Sequence, residues 1–500
     1  MIKNVSDYLV RTAARFPDKI AFADDRRSMS FSELKQEAYQ VASALIEAGC
    51  FKRPVAIFMD KQTECVSAMM GVVCSGNCYT VLDVHMPVAR IEKILETLRP
   101  AAVNTAEDYA GAAGSFAGDA AVLLYGDLIS RPADVTRVET VRDRIISSDV
   151  LYVLFTSGST GTPKGVIISH RAVIEYNEWL AERFPLDENT VFGNQTPFYF
   201  VMSGLDIFQT IRSGCTTWII PRMAFMFPGM LMEYLKEHEI NTLYWVPSAL
   251  CMVANLGALS EIRLPQLRLV MFGGEVMPTK QLNMWRKEYP EVVFVNQYGP
   301  TEMTDICAYY ILDRPIPDSE AIPIGRASEH MDILLLGDDD RPVPEGEIGE
   351  LCGRGPSLAY GYYNDPEKTE AAFTQNPLNR EYPEKIYRTG DLVRVNEYGE
   401  MVFVSRKDFQ IKHMGHRIEL SEIETAVSAL DGIERGCCLY DAGKSKIVLF
   451  YIGSLSDKEI KEGLRKMVPE YMIPNRTVRL ETLPMNLNGK IDRAELKARL

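Results

Sequence analysis

Residues 153–170 read VLFTSGSTGTPKGVIISH. Seven consecutive Ser, Thr or Gly residues, Thr156 to Thr162, lie between two apolar runs and are followed by Pro163 and Lys164. The glycines Gly158, Gly161 and Gly165 let backbone approach a partner closely. Ser157, Ser159, Thr160 and Thr162 add hydroxyl donors, and Lys164 adds a positive charge. That donor set suits a phosphate, yet the same composition also describes a flexible linker, and by itself the stretch allows both. It is not a Walker loop, because Pro163 rather than glycine precedes Lys164 and no Ser or Thr follows it.

Four further motifs follow in order: NQYGPTEMT at 296–304, YRTGDL at 387–392, SRKDFQIKHMGHRIELSEIE at 405–424 and NLNGKIDR at 486–493. Together with TSGSTGTPKG they resemble the ANL superfamily of adenylate-forming enzymes, in particular the adenylation domains of nonribosomal peptide synthesis and their stand-alone relatives. The resemblance runs from FPDKIAF, near residue 16, to the C-terminus. It implies a two-step reaction. A carboxylate attacks the α-phosphate of ATP to give an acyl-AMP and pyrophosphate, and the acyl group then passes to a thiol. Such chemistry rests on positioning and charge neutralisation rather than on a protein nucleophile, which agrees with a sequence that offers no evident Ser-His-Asp arrangement.

The resemblance also implies roles residue by residue. Thr156, Ser157, Gly158, Ser159, Thr160, Gly161 and Lys164 hold the triphosphate, with Thr156 close to the chemistry. Asn296 and Tyr298 face the adenine, Gly299 and Thr301 complete that loop, and Glu302 binds Mg²⁺. Asp391 accepts from both ribose hydroxyls, for which a carboxylate has the right pair of acceptors, and Arg406 assists near ribose and phosphate. Lys490 stabilises charge as the acyl-AMP bond forms. Asp408 is the hinge about which a small C-terminal domain turns, and Lys412 and Gly415 belong to the face presented for thiol transfer. His170 and His416 are read as structural.

The acid pocket is expected at Val201, Met202, Leu205, Tyr244, Met271, Gly273, Gln297, Asp305 and Ile306. Amino-acid-activating relatives usually carry an Asp where this chain has Val201, and that carboxylate pairs with the substrate's α-ammonium. A valine cannot offset the several kcal/mol, in order of magnitude, of an unpaired buried charge. The expected substrate is therefore a carboxylic acid without an α-amino group, with an aryl acid such as a hydroxybenzoate favoured. Asp305, Gln297 or Tyr244 would bond a distal hydroxyl or amine, and Gly273 would leave space. A β- or ω-amino acid and an α-keto or α-hydroxy acid are the alternatives. A separate phosphopantetheinylated carrier protein is the expected acceptor, with CoA as the alternative, and a nucleotide-binding protein without turnover is the competing class.

The elements that must position these residues show a clear pattern. PVAIFMD, AAVLLYGD, LYVLF, TTWIIP, INTLYWVP and LRLVMFGG predict strands, with helical stretches such as 227–237 between them, an α/β texture. From about residue 322 short strands alternate with Gly, Pro and Asp turns, which predicts a β-rich subdomain over 322–407 within an N-terminal core of residues 1–407. Residues 408–500 read as a small mobile α+β domain. Strands are predicted near Cys437–Leu439 and Lys446–Ile452, and helices near Asp457–Met467 and after Ile491. The whole is the two-domain α/β architecture of the ANL fold.

Bulk properties narrow the class. A chain of 500 residues exceeds a single core, and 46% hydrophobic with 24% charged residues is an ordinary globular composition. The net charge of -14 argues against nucleic-acid binding, whose footprint is basic. From Phe409 onward, 15 Lys/Arg against 13 Asp/Glu make the tail compositionally distinct. The ten cysteines show no C-x-x-C pair, which predicts a reduced, cytoplasmic protein. The N-terminal segment reads as an amphipathic helix with Ser6 as N-cap and lacks the apolar core of a signal peptide. Residues Val66 to Leu82 are interrupted by Ser75, Gly76, Asn77 and Thr80, which argues against a membrane span.

Overall fold

The computed structural model describes residues 2–157, 162–407, 410–484 and 491–500. Gly158, Ser159, Thr160, Gly161, Asp408 and Lys490, assigned above, lie outside the described residues. The chain divides into two compact units. One comprises residues 1–84, 98–154 and 166–407, and the other residues 85–97, 155–165 and 408–500.

The larger unit carries the sheet that holds Tyr244, Met271, Gly273 and Gln297, which are among the residues expected to line the acid pocket. Its strands run in the order Arg326–Ala327, Ala308–Ile311, Val293–Tyr298, Leu269–Gly273, Thr242–Trp245, Val191–Asn194, Thr216–Ile219, Ile20–Ala23 and Ser28–Ser30. From Val293–Tyr298 to Ile20–Ala23 every pairing is parallel, and the flanking pairings are antiparallel. Parallel strands are covered on both faces, so they read as continuous apolar runs, and Leu269–Gly273 and Thr242–Trp245 are buried at every residue. In such sheets ligands gather beyond the carboxyl ends of the strands, where the chain leaves for its crossover helices.

A second sheet orders Ala121–Leu124, Ala102–Thr105, Pro54–Phe58, Cys78–Leu82, Val150–Thr156 and Lys164–Ser169. An antiparallel sheet orders Asp332–Leu336, Gly349–Arg354, Lys385–Val395 and Phe373–Gln375, with Met401–Arg406 pairing Lys385–Val395. The six strand runs predicted over residues 54–274 each form a strand.

The smaller unit has its own core. The hairpin Gln410–His413 with His416–Glu419 leads into the helix Leu420–Ser428, and Ile433–Asp441, Lys446–Gly453 and Arg476–Arg479 form a three-stranded sheet. Ile418, Ile423, Val427, Cys438, Leu449, Ile460 and Leu464 pack together. Within this unit Arg90, on the helix Val88–Leu98, forms a buried ion pair with Glu422. A large N-terminal domain of mixed α/β sheets and a smaller α+β one is the architecture expected from the sequence.

One expectation is corrected. The first helix spans Ser6–Arg15, so Val5 stands at the N-cap and Ser6 lies inside the first turn. The Asn4 side chain takes over the capping, with Oδ1 accepting from Ser6 N at 3.0 Å and from the Ser6 hydroxyl. Ser6 Oγ is thereby available to accept from Arg142 Nε at 2.8 Å.

Candidate active site

The strand Val293–Tyr298 delivers Asn296, Gln297 and Tyr298 to its carboxyl end, after which residues 299–307 fold back on it. Cys307 N donates to Tyr298 O at 2.9 Å, closing the loop. A Cβ at position 299 would lie 2.0 Å from the Asp305 carbonyl oxygen, so only glycine permits this closure. Within the loop Thr304 and Asp305 adopt φ of 52° and 78°. Two successive non-glycine residues in the left-handed region store backbone strain of the kind concentrated at functional sites.

On one side of the loop stands a carboxylate cluster. The Tyr298 hydroxyl donates to Asp391 Oδ2, and Arg406 donates through one nitrogen to Asp391 Oδ1 and through another to Thr389 O at 3.0 Å. Asp391 and Arg406 face each other directly across the paired strands Lys385–Val395 and Met401–Arg406. Thr389 Oγ accepts from Asp391 N at 2.9 Å, fixing the carboxylate's own backbone. Burial, with the adjacent Asp391 charge, pushes the Tyr298 phenol well above its ordinary pKa, so it acts as a neutral donor. Asn296 donates to Pro323 O at 2.8 Å.

Glu302 sits in the short turn Thr301–Met303, fully buried, and accepts from the Tyr362 hydroxyl at 2.7 Å. Asp305 accepts from the hydroxyls of Tyr176 at 3.0 Å and Tyr244 at 3.1 Å. Burial, followed by the field of Asp305, raises both phenols well above the usual range. Tyr176 comes from the helix His170–Arg183 and Tyr244 from the strand Thr242–Trp245, so three distant segments meet at this carboxylate.

The expected pocket residues Val201, Met202, Leu205, Tyr244, Met271, Gln297, Asp305 and Ile306 are all buried in the larger unit. Register explains part of the grouping. Asn194, Tyr244 and Met271 are aligned across three parallel strands, and Gly273 pairs with Gln297. Gln297 Nε2 reaches Met271 Sδ at 3.4 Å, while its Oε1 is buried with no hydrogen-bond partner among the described residues. Gly273 was expected to leave space, but a Cβ there would lie 2.6 Å from the Gln297 carbonyl oxygen. The neighbouring strand already fills that volume, and close approach of backbone is what requires the glycine.

In the smaller unit, Thr156 ends the strand Val150–Thr156 and Lys164 opens Lys164–Ser169. Thr156 Oγ1 is buried with no partner among the described residues, and Ser157 Oγ donates to Arg417 O at 2.6 Å.

The two histidines read as structural are held as neutral groups. His170 accepts from Val5 N at 3.1 Å and burial lowers its pKa to about 4. His416 stacks on Tyr471, and burial lowers its pKa to about 3. Tyr176, Tyr362 and Thr389 were not anticipated. Thr389 stands inside the motif YRTGDL, though no role was assigned to it, while Tyr176 and Tyr362 lie in an ordinary helix and loop and carry no motif signal, because their roles arise from tertiary contacts.

Comparison with known proteins follows the same lines. The family model for AMP-binding enzymes matches residues 9–363. Zwittermicin A synthase ZmaJ of Bacillus cereus is 31% identical over 96% of this chain and 92% of its own length. The D-alanine--D-alanyl carrier protein ligase of Bacillus licheniformis is 30% identical over 96% of both chains. Among solved structures, holo-PA1221, described as an NRPS protein containing adenylation and PCP domains, superposes with a TM-score of 0.86 at 24% identity, over 100% of this chain and 84% of that one. The amide bond synthetase McbA of Marinactinospora thermotolerans gives 0.86 at 19% identity over 99% of each chain, a likeness of fold alone.

Proposed function

The chain belongs to the AMP-binding enzyme family and is an adenylate-forming ligase, and from that premise we propose that it activates a carboxylic acid lacking an α-amino group and loads it onto a separate carrier protein. The favoured class is an aryl acid such as a hydroxybenzoate. One observation carries this reading. The carboxylate of the pocket is Asp305, held by the hydroxyls of Tyr176 and Tyr244, while position 201 is a buried valine. A ring hydroxyl can donate to Asp305, whereas an α-ammonium at Val201 would meet no charge.

For the nucleotide, Asp391 with its Tyr298 and Arg406 partners supports ribose recognition, and the buried Thr156 Oγ1, without a partner among the described residues, supports triphosphate binding, in which Ser157 and Lys164 are proposed to join. Glu302 is the proposed Mg²⁺ ligand. Tyr362 uses one of its acceptor positions, and a carboxylate offers about four. Mg²⁺ keeps several waters and takes phosphate oxygens, so one protein carboxylate is a fitting donor. The ion would neutralise phosphate charge as pyrophosphate leaves. Lys490 is proposed to stabilise the α-phosphate and substrate carboxylate, and Asp408 to serve as hinge. The carrier-protein acceptor is supported by a relative named as a carrier protein ligase, matched over 96% of its length. Ten cysteines, all thiols, and no described helix long and apolar enough to cross a membrane are compatible with a cytoplasmic enzyme.

A second reading has its own support. Asp305 accepts from two neutral hydroxyls, which suits a distal ammonium and therefore a β- or ω-amino acid. ATP–pyrophosphate exchange with aryl, keto, hydroxy, β-amino and α-amino acids side by side separates the two, and thioester formation on a carrier rather than on free CoA tests the acceptor. Exchange confined to a common L- or D-amino acid refutes both. Lys490→Ala is expected to abolish acyl-AMP formation while sparing ATP binding.

A further inference from the structure

Lys61 stands just before the helix Thr63–Cys74, and its Nζ donates to two backbone carbonyls, Asn194 O at 3.3 Å and Gln195 O at 3.0 Å. These carbonyls close the strand Val191–Asn194 and open the segment 195–202, which leads through Val201 into the helix Ser203–Ser213. From that helix Asp206 returns to the same strand end, where Asn194 Nδ2 donates to Asp206 Oδ2 at 2.7 Å. The lysine and the carboxylate thus clamp both ends of the segment that carries Val201. Asp206 and Asn194 are fully buried, and Asp206 Oδ1 has no hydrogen-bond partner among the described residues.

The clamp borders the acid pocket. Asn194 is the register neighbour of Tyr244, whose hydroxyl binds Asp305. Burial pushes the Asp206 carboxyl up to about 7 and the Lys61 ammonium down to about 7, and the field of each opposes the effect of burial on the other. A lysine whose donors go to carbonyls of one turn also resists displacement of that turn: Asn194 O keeps Ile220 N at 3.2 Å, but Gln195 O loses the ammonium donor when the turn moves.

We propose that Lys61 is a positioning and specificity-determining residue for the acid substrate: it fixes the strand end from which residues 195–202 enter the pocket and, through Asn194, holds Asp206 in place, so that this carboxylate is committed before any substrate ammonium arrives. The inference rests on the reading of the substrate as an acid without an α-amino group and names a second cause for that preference beside Val201.

The test is pyrophosphate-exchange kinetics on the full chain with Lys61→Met, Lys61→Arg and Asp206→Asn, varying acid and ATP separately. For Lys61→Met the KM for the acid rises about tenfold or more while the KM for ATP stays within about twofold, the signature of a lost interaction confined to one substrate. Arginine keeps the charge and the donors, so Lys61→Arg restores the KM to within about threefold of the parent. With Asn194 and Asp206 released from the clamp, Lys61→Met also raises exchange with an amine-bearing analogue relative to the parent acid. Equal changes in both KM values, an arginine variant as impaired as the methionine one, or unchanged kinetics in Lys61→Met would overturn the proposal. If Lys61→Met does not fold, Asp206→Asn decides: a raised KM for the acid alone supports it and an unchanged one refutes it. Failure of the substrate reading shows separately, as wild-type exchange with a common α-amino acid, and leaves the KM comparison valid.

Discussion

The Tyr298 hydroxyl donates to the Asp391 carboxylate, and Arg406 holds the other oxygen of the same group from the paired strand. Tyr298 ends a strand of the pocket sheet and Asp391 lies 93 residues further along in a different sheet. This bond therefore joins the segment proposed to face the adenine to the strand proposed to face the ribose. Tyr298→Phe removes one donor, so a loss of about 1 kcal/mol in stability and a KM for ATP raised a few-fold are expected. Asp391→Asn removes the charge that Arg406 binds at this position and keeps only one acceptor oxygen, and should lower kcat/KM for ATP by about 100-fold or more. Exchange assays with varied ATP, read beside thermal melts, check both values.

Gly299 is required by backbone proximity. A methyl at that position would lie 2.0 Å from the Asp305 carbonyl oxygen and 2.8 Å from Ile306 Cα. Gly299→Ala must open the loop that carries Glu302 and Asp305, with a destabilisation of about 3 kcal/mol and loss of adenylation. Thermal melts and exchange activity report the two effects together, and a fully active, equally stable variant would contradict the observed closure.

Val201→Asp inverts the charge argument at the pocket. The new carboxylate is buried without a partner and should weaken activity with the natural acid by about 10- to 100-fold, the cost of 1.4 to 2.8 kcal/mol in transition-state stabilisation. Exchange with small α-amino acids should rise relative to the parent. A panel in which no α-amino acid gains would show that residue 201 does not face the reacting end of the substrate.

His170 gives a pH dependence with a definite sign. Burial lowers its pKa from 6.5 to about 4, so the folded chain holds it neutral while the unfolded chain protonates it below 6.5. Its contribution is complete above pH 6.5 and is lost as pH falls from there toward 4, amounting to roughly 2 kcal/mol by pH 5. Denaturant titrations at pH 7.5 and pH 5 should differ by more in the parent than in His170→Gln. Equal differences would assign the acid sensitivity to other groups.

Much of the architecture was legible because local pattern and local structure share a cause. Buried parallel strands need apolar side chains on both faces, so PVAIF, TTWI and LVMFG read as strands before any contact is known. The tail's separate composition likewise reflects a separate core, built on Ile423, Leu449 and Leu464. Capping at the N-terminus was misread by one residue because Ser6 and Asn4 are both competent caps, and Arg142, distant in sequence, draws on the Ser6 hydroxyl.

The sequence carried the reaction class through five ordered motifs that resemble those of adenylate-forming enzymes, a resemblance that implies nucleotide roles for Thr156, Tyr298, Glu302, Asp391 and Arg406. It also determined the absence of a carboxylate at position 201. The surroundings of Asp305 and Asp206 come from the fold. Tyr176 lies 129 residues before Asp305, and Lys61 lies 133 residues before the carbonyl it holds. No local spacing records such meetings. They follow from strand order and register, which bring Asn194, Tyr244 and Met271 side by side, and from burial, which favours partners for hydroxyl, carbonyl and ammonium groups within the folded chain.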